Sequence, residues 1–259
     1  MISFPNLDAW DKNATIWDSA MADGSLFQKN IIEPDTLAFL DPKKEMRVLD
    51  VACGNGQMSR ILANLGCKVT ALDSSREMIR LAEARSKGLN IAYHINDVAD
   101  SKSWNAVRRT SFEAALCNMA LMDIPDIVPV FKGVYSSLKE RGVFVFSITH
   151  PSFDKAVGPH IMEIHEKDGE LIYLHAIKVL HYKSSSAMPA KALPHLPALH
   201  YHYHRSLESY LTLAFETGFT MTGIAEPAFP KDSNLAEHKG WHKLHDIPVA
   251  LIIKLLKSK

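Results

Sequence analysis

Val48-Leu49-Asp50-Val51-Ala52-Cys53-Gly54-Asn55-Gly56-Gln57 is the stretch that decides the fold. Its mostly apolar start reads as a buried strand. Its small residues then let the backbone come close to a ligand. Met58 to Leu65 follows as a helix, whose first N–H groups face that turn. Val69-Thr70-Ala71-Leu72-Asp73 is a second strand. It ends in a carboxylate able to accept hydrogen bonds from both hydroxyls of a ribose. Strand, tight turn, helix and second strand with a terminal acid describe a nucleoside site at the carboxyl edge of a parallel sheet.

The spacing of the glycines narrows the nucleoside. The dinucleotide fingerprint G-x-G-x-x-G is absent. The turn reads Asp50-x-Ala52-x-Gly54-x-Gly56, which resembles the D-x-G-x-G-x-G signature of the class I S-adenosylmethionine-dependent methyltransferases. Ala52 stands where that family has its first glycine. Asp73-Ser74-Ser75-Arg76-Glu77-Met78 is similar to the family's acidic residue and the D-x-S-x-x-M after it. Read from the residues alone, Ser74 is an N-cap with Glu77 completing a capping box. The resemblance implies S-adenosylmethionine as cofactor and S-adenosylhomocysteine as product. It implies cofactor contacts at Asp50, Ala52, Cys53, Gly54, Gly56, Asp73, Ser74 and Met78, with Trp17 as a covering aromatic residue. Asp97 matches the position that accepts from the adenine amino group, with Val98 beside it. Asn118 and Met119, at the end of the fourth strand, match the position next to the reactive methyl group.

Composition sets the surroundings. Lys plus Arg and Asp plus Glu number 29 each among 259 residues. No net field therefore draws in nucleic acid, which is disfavoured as a partner, or an anionic membrane. No apolar run approaches the roughly 20 residues that span a bilayer. The start, Met1-Ile2-Ser3-Phe4-Pro5-Asn6, lacks the layout of a signal peptide. Cys53, Cys67 and Cys117 have neither metal nor disulfide-framework spacing, which fits a reducing cytoplasm.

Along the chain, Asp8 to Ala22 reads as a helix with Trp10, Ile16, Trp17 and Met21 available to one side. Arg76 to Arg85 is amphipathic, Ile91 to Ile95 a third strand and Phe112 to Cys117 a fourth. Ile127 to Lys139 is a helix closed by Arg141-Gly142 as a C-cap. Gly142 to Thr149 is the fifth strand. Leu207 to Thr217 is a helix capped by Gly218, and Phe219 to Ala225 and Pro248 to Leu255 are the last strands. Alternating strands and helices call for a right-handed parallel sheet. The two late strands, with no helix between them, predict an antiparallel final strand. The expected fold is a Rossmann-like, doubly wound α/β sheet of seven strands, with an inserted β-hairpin. One domain is expected: cofactor-covering helices over 1–45, a cofactor core over 46–153, an acceptor lid over 154–204, and a helix and strands completing the sheet over 205–259. Within the lid, Lys167-Asp168-Gly169-Glu170 signals a hairpin, and Lys183 to Leu199, rich in proline and serine, reads as a mobile loop.

A sulfonium methyl is already activated, so the cofactor carries the hard step. The protein must align the acceptor, exclude water and, for a hydroxyl or ammonium, remove a proton. Histidine suits that last task. His150, in His150-Pro151-x-Phe153, and His204, in His204-Arg205-Ser206, are the expected catalytic bases. Both segments resemble those of bacterial small-molecule methyltransferases of the ubiquinone-biosynthesis-like type. His200-x-His202-x-His204 puts three imidazoles on one strand face, but no companion ligand has metal spacing, so no metal is assigned. These histidines, with Tyr201, Tyr203 and Tyr210, are expected to line an acceptor pocket, and His238, Trp241, His242 and His245 form a further cluster. The expected function is methyl transfer to an oxygen or nitrogen of a small-molecule acceptor. A peptide, protein or RNA acceptor, a catalytically silent cofactor-binding protein, and a homodimer are left open.

Overall fold

The computed structural model describes residues 5–107, 111–230 and 245–258. Seven strands form the central sheet. They are β1 (Arg47–Val51), β2 (Lys68–Asp73), β3 (Ile91–Ile95), β4 (Phe112–Asn118), β5 (Leu138–Thr149), β10 (Phe219–Ala225) and β11 (Ala250–Lys257), and their order is β10-β11-β5-β4-β1-β2-β3. Strands β1 to β5 pair in parallel, and β11 runs antiparallel to both β5 and β10, as the sequence predicts. The chain winds outward from β1 to β3, then restarts at β4 on the other side. The crevice between the ends of β1 and β4 is therefore the place where a ligand fits.

Both faces of the sheet are covered, which is why its strands read as apolar runs rather than as an alternation. Leu49 and Val51 of β1 pack on one side with Phe131, Phe144 and Phe146. Val48 points to the opposite layer, with Met58, Leu62, Leu116 and Ile252. Helix α5 (Val128–Ser137) and α6 (Leu207–Thr217) cover the first side, and α2 (Glu33–Leu40) and α3 (Gln57–Asn64) the second. Each fully buried Leu or Phe contributes ~1.5–3 kcal/mol. Helix α1 (Pro5–Met21) lies across the carboxyl edge and packs on α4 (Arg76–Arg85).

Three local expectations change. Ser75, not Ser74, caps α4, with its Oγ accepting from Met78 N at 3.1 Å. The same hydroxyl donates to Asp11 Oδ1 at 2.5 Å, and Asp11 also accepts from Glu77 N. The N-cap N–H that the capping box assigned to Glu77 goes instead to Asp73 Oδ1 at 2.9 Å, and the Glu77 side chain pairs with Arg80. Second, Arg141-Gly142 does not end a helix. Helix α5 stops at Ser137, and β5 already begins at Leu138. Arg141 sits at φ 60°, where the pairing of β4 with β5 shifts register; a bulge takes up the turn. Third, the tract rich in proline and serine contains strand β8 (Ser186–Ala190), paired antiparallel with β9 (His200–His204). Pro189 is tolerated because β8 lies at the edge of its two-stranded sheet. A short π-helix over Gln28–Ile32 leads into α2. The predicted hairpin is present as β6 (His160–Lys167) and β7 (Glu170–Ile177).

Candidate active site

A cavity of about 830 Å³ opens at the carboxyl ends of β1 to β5, beneath α1 and beside β8 and β9. That volume lies in the upper part of the roughly 300–1,000 Å³ range of ligand pockets and leaves room for two small ligands. At one end stand Asp50, Ala52, Cys53, Gly54, Asp73, Ser74, Met78, Asp97 and Val98. Gly54 has φ +55°, and a Cβ built there meets no atom within 4 Å, because it would project into the cavity. Gly56 does not wall the cavity. It holds φ +75° at the start of α3, and a Cβ there would strike the Tyr93 hydroxyl at 2.2 Å.

Asp73 closes β2 with its oxygens held by Gly54 N at 2.8 Å and Ser75 N at 2.9 Å. Its burial raises the carboxyl's pKa against those two bonds. Asp50 is also buried and pushed up to about 7, chiefly by desolvation, although Ser59 Oγ donates to it at 2.5 Å. Asp97 Oδ1 accepts from Ala99 N in a local turn at the end of β3. Trp17 walls the cavity and meets Trp10 edge-on at 5.2 Å. Asn118 receives a bond from Ser147 Oγ at 2.7 Å and donates to Gln28 Oε1 at 3.2 Å. Met119, with φ 51°, is fixed by its N–H donating to Ser147.

At the other end, the wall comes from α1, the turn after β4, the turn after β5, and β8 and β9. Trp10, Ile124, Met188 and Leu193 are its apolar part. Its polar part is Asp123, Asp154, His200 and His202. His202 Nε2 lies 3.0 Å from Asp154 Oδ2. His200 Nε2 lies 3.7 Å from Asp123 Oδ1, too far for a hydrogen bond. Burial lowers the His200 pKa to about 4, so the imidazole is neutral at neutral pH and this pair carries no salt bridge. Among the described residues, Asp123 Oδ1 and His200 Nδ1 are buried without a hydrogen-bond partner.

The residues at the first end fit S-adenosylmethionine. Asp73 suits the ribose hydroxyls, Asp97 an adenine amino group, and the side-chain-free approach at Gly54 leaves space for the ligand. A model of the methyltransferase domain family matches residues 42–188, more than half of the chain. The chain belongs to that methyltransferase family. A ubiquinone biosynthesis O-methyltransferase of Xanthomonas axonopodis pv. citri (strain 306) is 32% identical over 136 residues, 51% of this chain and 54% of that protein. The match thus spans about half the length of that curated relative. A candidate S-adenosylmethionine-dependent methyltransferase from Listeria monocytogenes superposes with a TM-score of 0.66 at 23% identity, over 87% of this chain and 97% of that one. One from Mesorhizobium loti gives 0.65 at 22%, over 86% and 96%. The fold and the family are those of the class I S-adenosylmethionine-dependent methyltransferases.

In this methyltransferase, every expected cofactor residue except Gly56 walls the cavity. The two expected bases do not. His150 is 5% exposed, with Nε2 2.8 Å from Glu226 and Nδ1 accepting from Ser152 N at 3.2 Å. His204 is 3% exposed, with Nε2 2.8 Å from the Tyr182 carbonyl. Of the tyrosines expected at the acceptor, Tyr210 is buried against Phe146, and Tyr201 and Tyr203 are not on the wall. His238, Trp241 and His242 lie outside the described residues. Gln28, Asp123 and Asp154 were not anticipated. Asp123 and Asp154 had a signal, each an acid shortly past a strand end. No helix among the described residues is long and apolar enough to cross a membrane, and none of their His, Cys, Asp and Glu groups is arranged to hold a metal ion.

Proposed function

We propose that this chain transfers the methyl group of S-adenosylmethionine to an oxygen or nitrogen of a small molecule. The observation that carries the reading is the continuity of the cavity. One end offers Asp73 and Asp97 to a nucleoside, and the other offers a partly apolar chamber with a His–Asp pair to a second molecule. When bound, the cofactor supplies an electrophilic methyl group, so the chain must bind, orient and exclude water. Asp73 would hold the ribose, Asp97 the adenine, and Trp17 would cover the ligand. Met119 and Asn118 sit where β4 ends, between the two chambers. The 154–204 segment acts as the acceptor cover: Asn6 and Asn13 of α1 bond the backbone of Tyr201 and Ala198 and so join its edge to the helix. The name of the Xanthomonas relative supports oxygen as the atom methylated.

Calorimetric titration of S-adenosylmethionine and S-adenosylhomocysteine into the wild type and Asp73→Ala is the test. The expected result is micromolar binding, weakened about 100-fold in the variant if two hydrogen bonds to a charged group are lost. A folded wild type that binds neither compound would sink the reading.

A further inference from the structure

Four titratable side chains meet at the acceptor end of the cavity, and they are not equivalent. Asp154 is held down to about 2: burial opposes its charge, but the hydrogen bond and charge of His202 outweigh that. It is too weak a base to take a proton at neutral pH, and it is already engaged. His200 is neutral and too weak for the same reason. Asp123, pushed up to about 7 by burial, is set aside on geometry: Oδ1 has no hydrogen-bond partner to orient it. His202 remains, with Nε2 turned to Asp154 and Nδ1 as the second nitrogen of a ring on the cavity wall. A nucleophile's proton needs a base that a third group orients, and here the third group is Asp154.

We infer that His202, oriented by Asp154, takes the proton of a hydroxyl on the acceptor, while Asp123 and His200 beside it hold a second polar group of the same molecule. This inference rests on the methyltransferase reading above. The acceptor oxygen forms its bond to the methyl carbon as the carbon–sulfur bond breaks and that electron pair stays on sulfur. The hydroxyl proton passes to His202 Nδ1, and the resulting imidazolium faces the Asp154 carboxylate. Asp123 and His200 supply a reason for the second contact. Both residues stand on the cavity wall beside His202, one with a carboxyl and the other with a neutral imidazole able to take a polar group. The apolar wall of Trp10, Ile124, Met188 and Leu193 receives the body of the molecule.

Several groups act on the His202 ring. Burial disfavours its charge, but Asp154 by hydrogen bond and charge, and Asp123 by charge, raise its pKa above the ordinary value; Arg205 opposes them. His200, on the same strand, is neutral, and Lys155 stands on the cavity wall beside Asp154. Removing the Asp154 charge therefore lowers the pKa of His202.

The experiment adds 4-nitrophenol to the S-adenosylhomocysteine complex at a pH below that probe's own pKa, where it is neutral and colourless. With wild type, the phenolate absorbance is expected to rise on binding. His202→Gln, with unchanged affinity for S-adenosylhomocysteine, should lose that rise. Asp154→Asn should bind the probe with its apparent pKa returned toward the free value, and this variant carries the test if His202→Gln does not fold. In the protein without ligands, the NMR titration of His202 should move to lower pH in Asp154→Asn. A wild type that binds S-adenosylhomocysteine but leaves the probe neutral or unbound overturns the inference and spares the methyltransferase reading. Loss of the rise in Asp123→Asn, with His202→Gln unaffected, overturns it in favour of Asp123. A wild type that binds no S-adenosylhomocysteine removes both.

Discussion

Asp18 on α1 grips Arg85 on α4 with both carboxylate oxygens, Nε to Oδ1 at 2.6 Å and Nη2 to Oδ2 at 2.9 Å. Asn55, inside the turn after β1, donates to the same Oδ1 at 3.0 Å. Arg60 of α3 bonds the Ala22 and Asn55 carbonyls. The cover over the cofactor end is therefore fastened to the turn it covers.

Asp18→Ala should loosen that cover. Two charge-assisted bonds in a partly buried setting contribute about 2 kcal/mol, so urea denaturation should show a loss of that order. Calorimetry should show weaker S-adenosylhomocysteine binding. The Asp18 pKa is lowered: burial raises it, but Arg85 and Asn55 more than compensate. A depressed carboxylate stabilises above its unfolded pKa and loses that contribution as pH falls through the folded value. The fastening should thus hold at neutral pH and fail only in acid. Equal binding by the variant and the wild type would show that α1 does not retain the ligand.

Ala52 holds φ 55°, a left-handed conformation that glycine adopts without strain. For an L-residue it costs roughly 1–2 kcal/mol. Restoring flexibility to the unfolded chain costs about 0.4–1 kcal/mol. Ala52→Gly should therefore be neutral or stabilising by up to about 1.6 kcal/mol in urea denaturation. Ala52→Val, β-branched at positive φ, should be clearly destabilised. A glycine variant markedly less stable than wild type would contradict this reading of the turn.

Asp50 gives the ligand-free protein a pH dependence of opposite sign to Asp18. Its folded pKa is raised to about 7, largely by burial. Its contribution is fully present below the unfolded value, near 3.9, and is lost as pH rises through about 7. The thermal midpoint should fall as pH rises from about 4 to about 7 and level off above that, and Asp50→Asn should flatten that fall. Asp123, also raised to about 7 by burial, acts in the same window, so the double variant should be flatter still.

Asn13 is fully buried and bonds both ways to one residue: Nδ2 donates to the Ala198 carbonyl at 3.0 Å, and Ala198 N donates to Oδ1 at 2.9 Å. Asn6, seven residues earlier on the same helix face, does the same with Tyr201 at 2.9 and 2.6 Å. Asn13→Ala leaves two backbone groups unpaired and should cost about 2–3 kcal/mol. Hydrogen exchange should then accelerate at the Ala198 amide, and Asn6→Ala should do the same at Tyr201. Unchanged exchange at Ala198 would mean that other contacts hold the segment.

Most of the cavity wall at the ends of β1 to β4 was legible because its signals are local. The Asp50 to Gly56 turn and Asp73 sit at fixed offsets from strand ends, and a strand end fixes where the next residues point. The α4 cap was missed by one residue because its partner, Asp11, lies 64 positions away from Ser75. Strand β8 was hidden for a similar reason: Ser186 to Ala190 has no strand pattern of its own and is defined by pairing with His200 to His204.

The sequence by itself determined the doubly wound sheet, its antiparallel last strand and the ring of small and acidic residues at its carboxyl edge. Hydrophobic period and turn chemistry act over a few residues and need no tertiary contact to be expressed. Only the tertiary structure decided which histidines face the cavity. His150, His200, His202 and His204 are alike in chemistry, and the last three alternate along one strand. What separates them is the partner each finds: Glu226 and Ser152 for His150, the Tyr182 carbonyl for His204, and Asp154 at the cavity wall for His202. Asp154 comes from the turn after β5, Glu226 from the end of β10 and Tyr182 from the segment before β8, and packing between distant segments sets both the protonation and the direction of a ring.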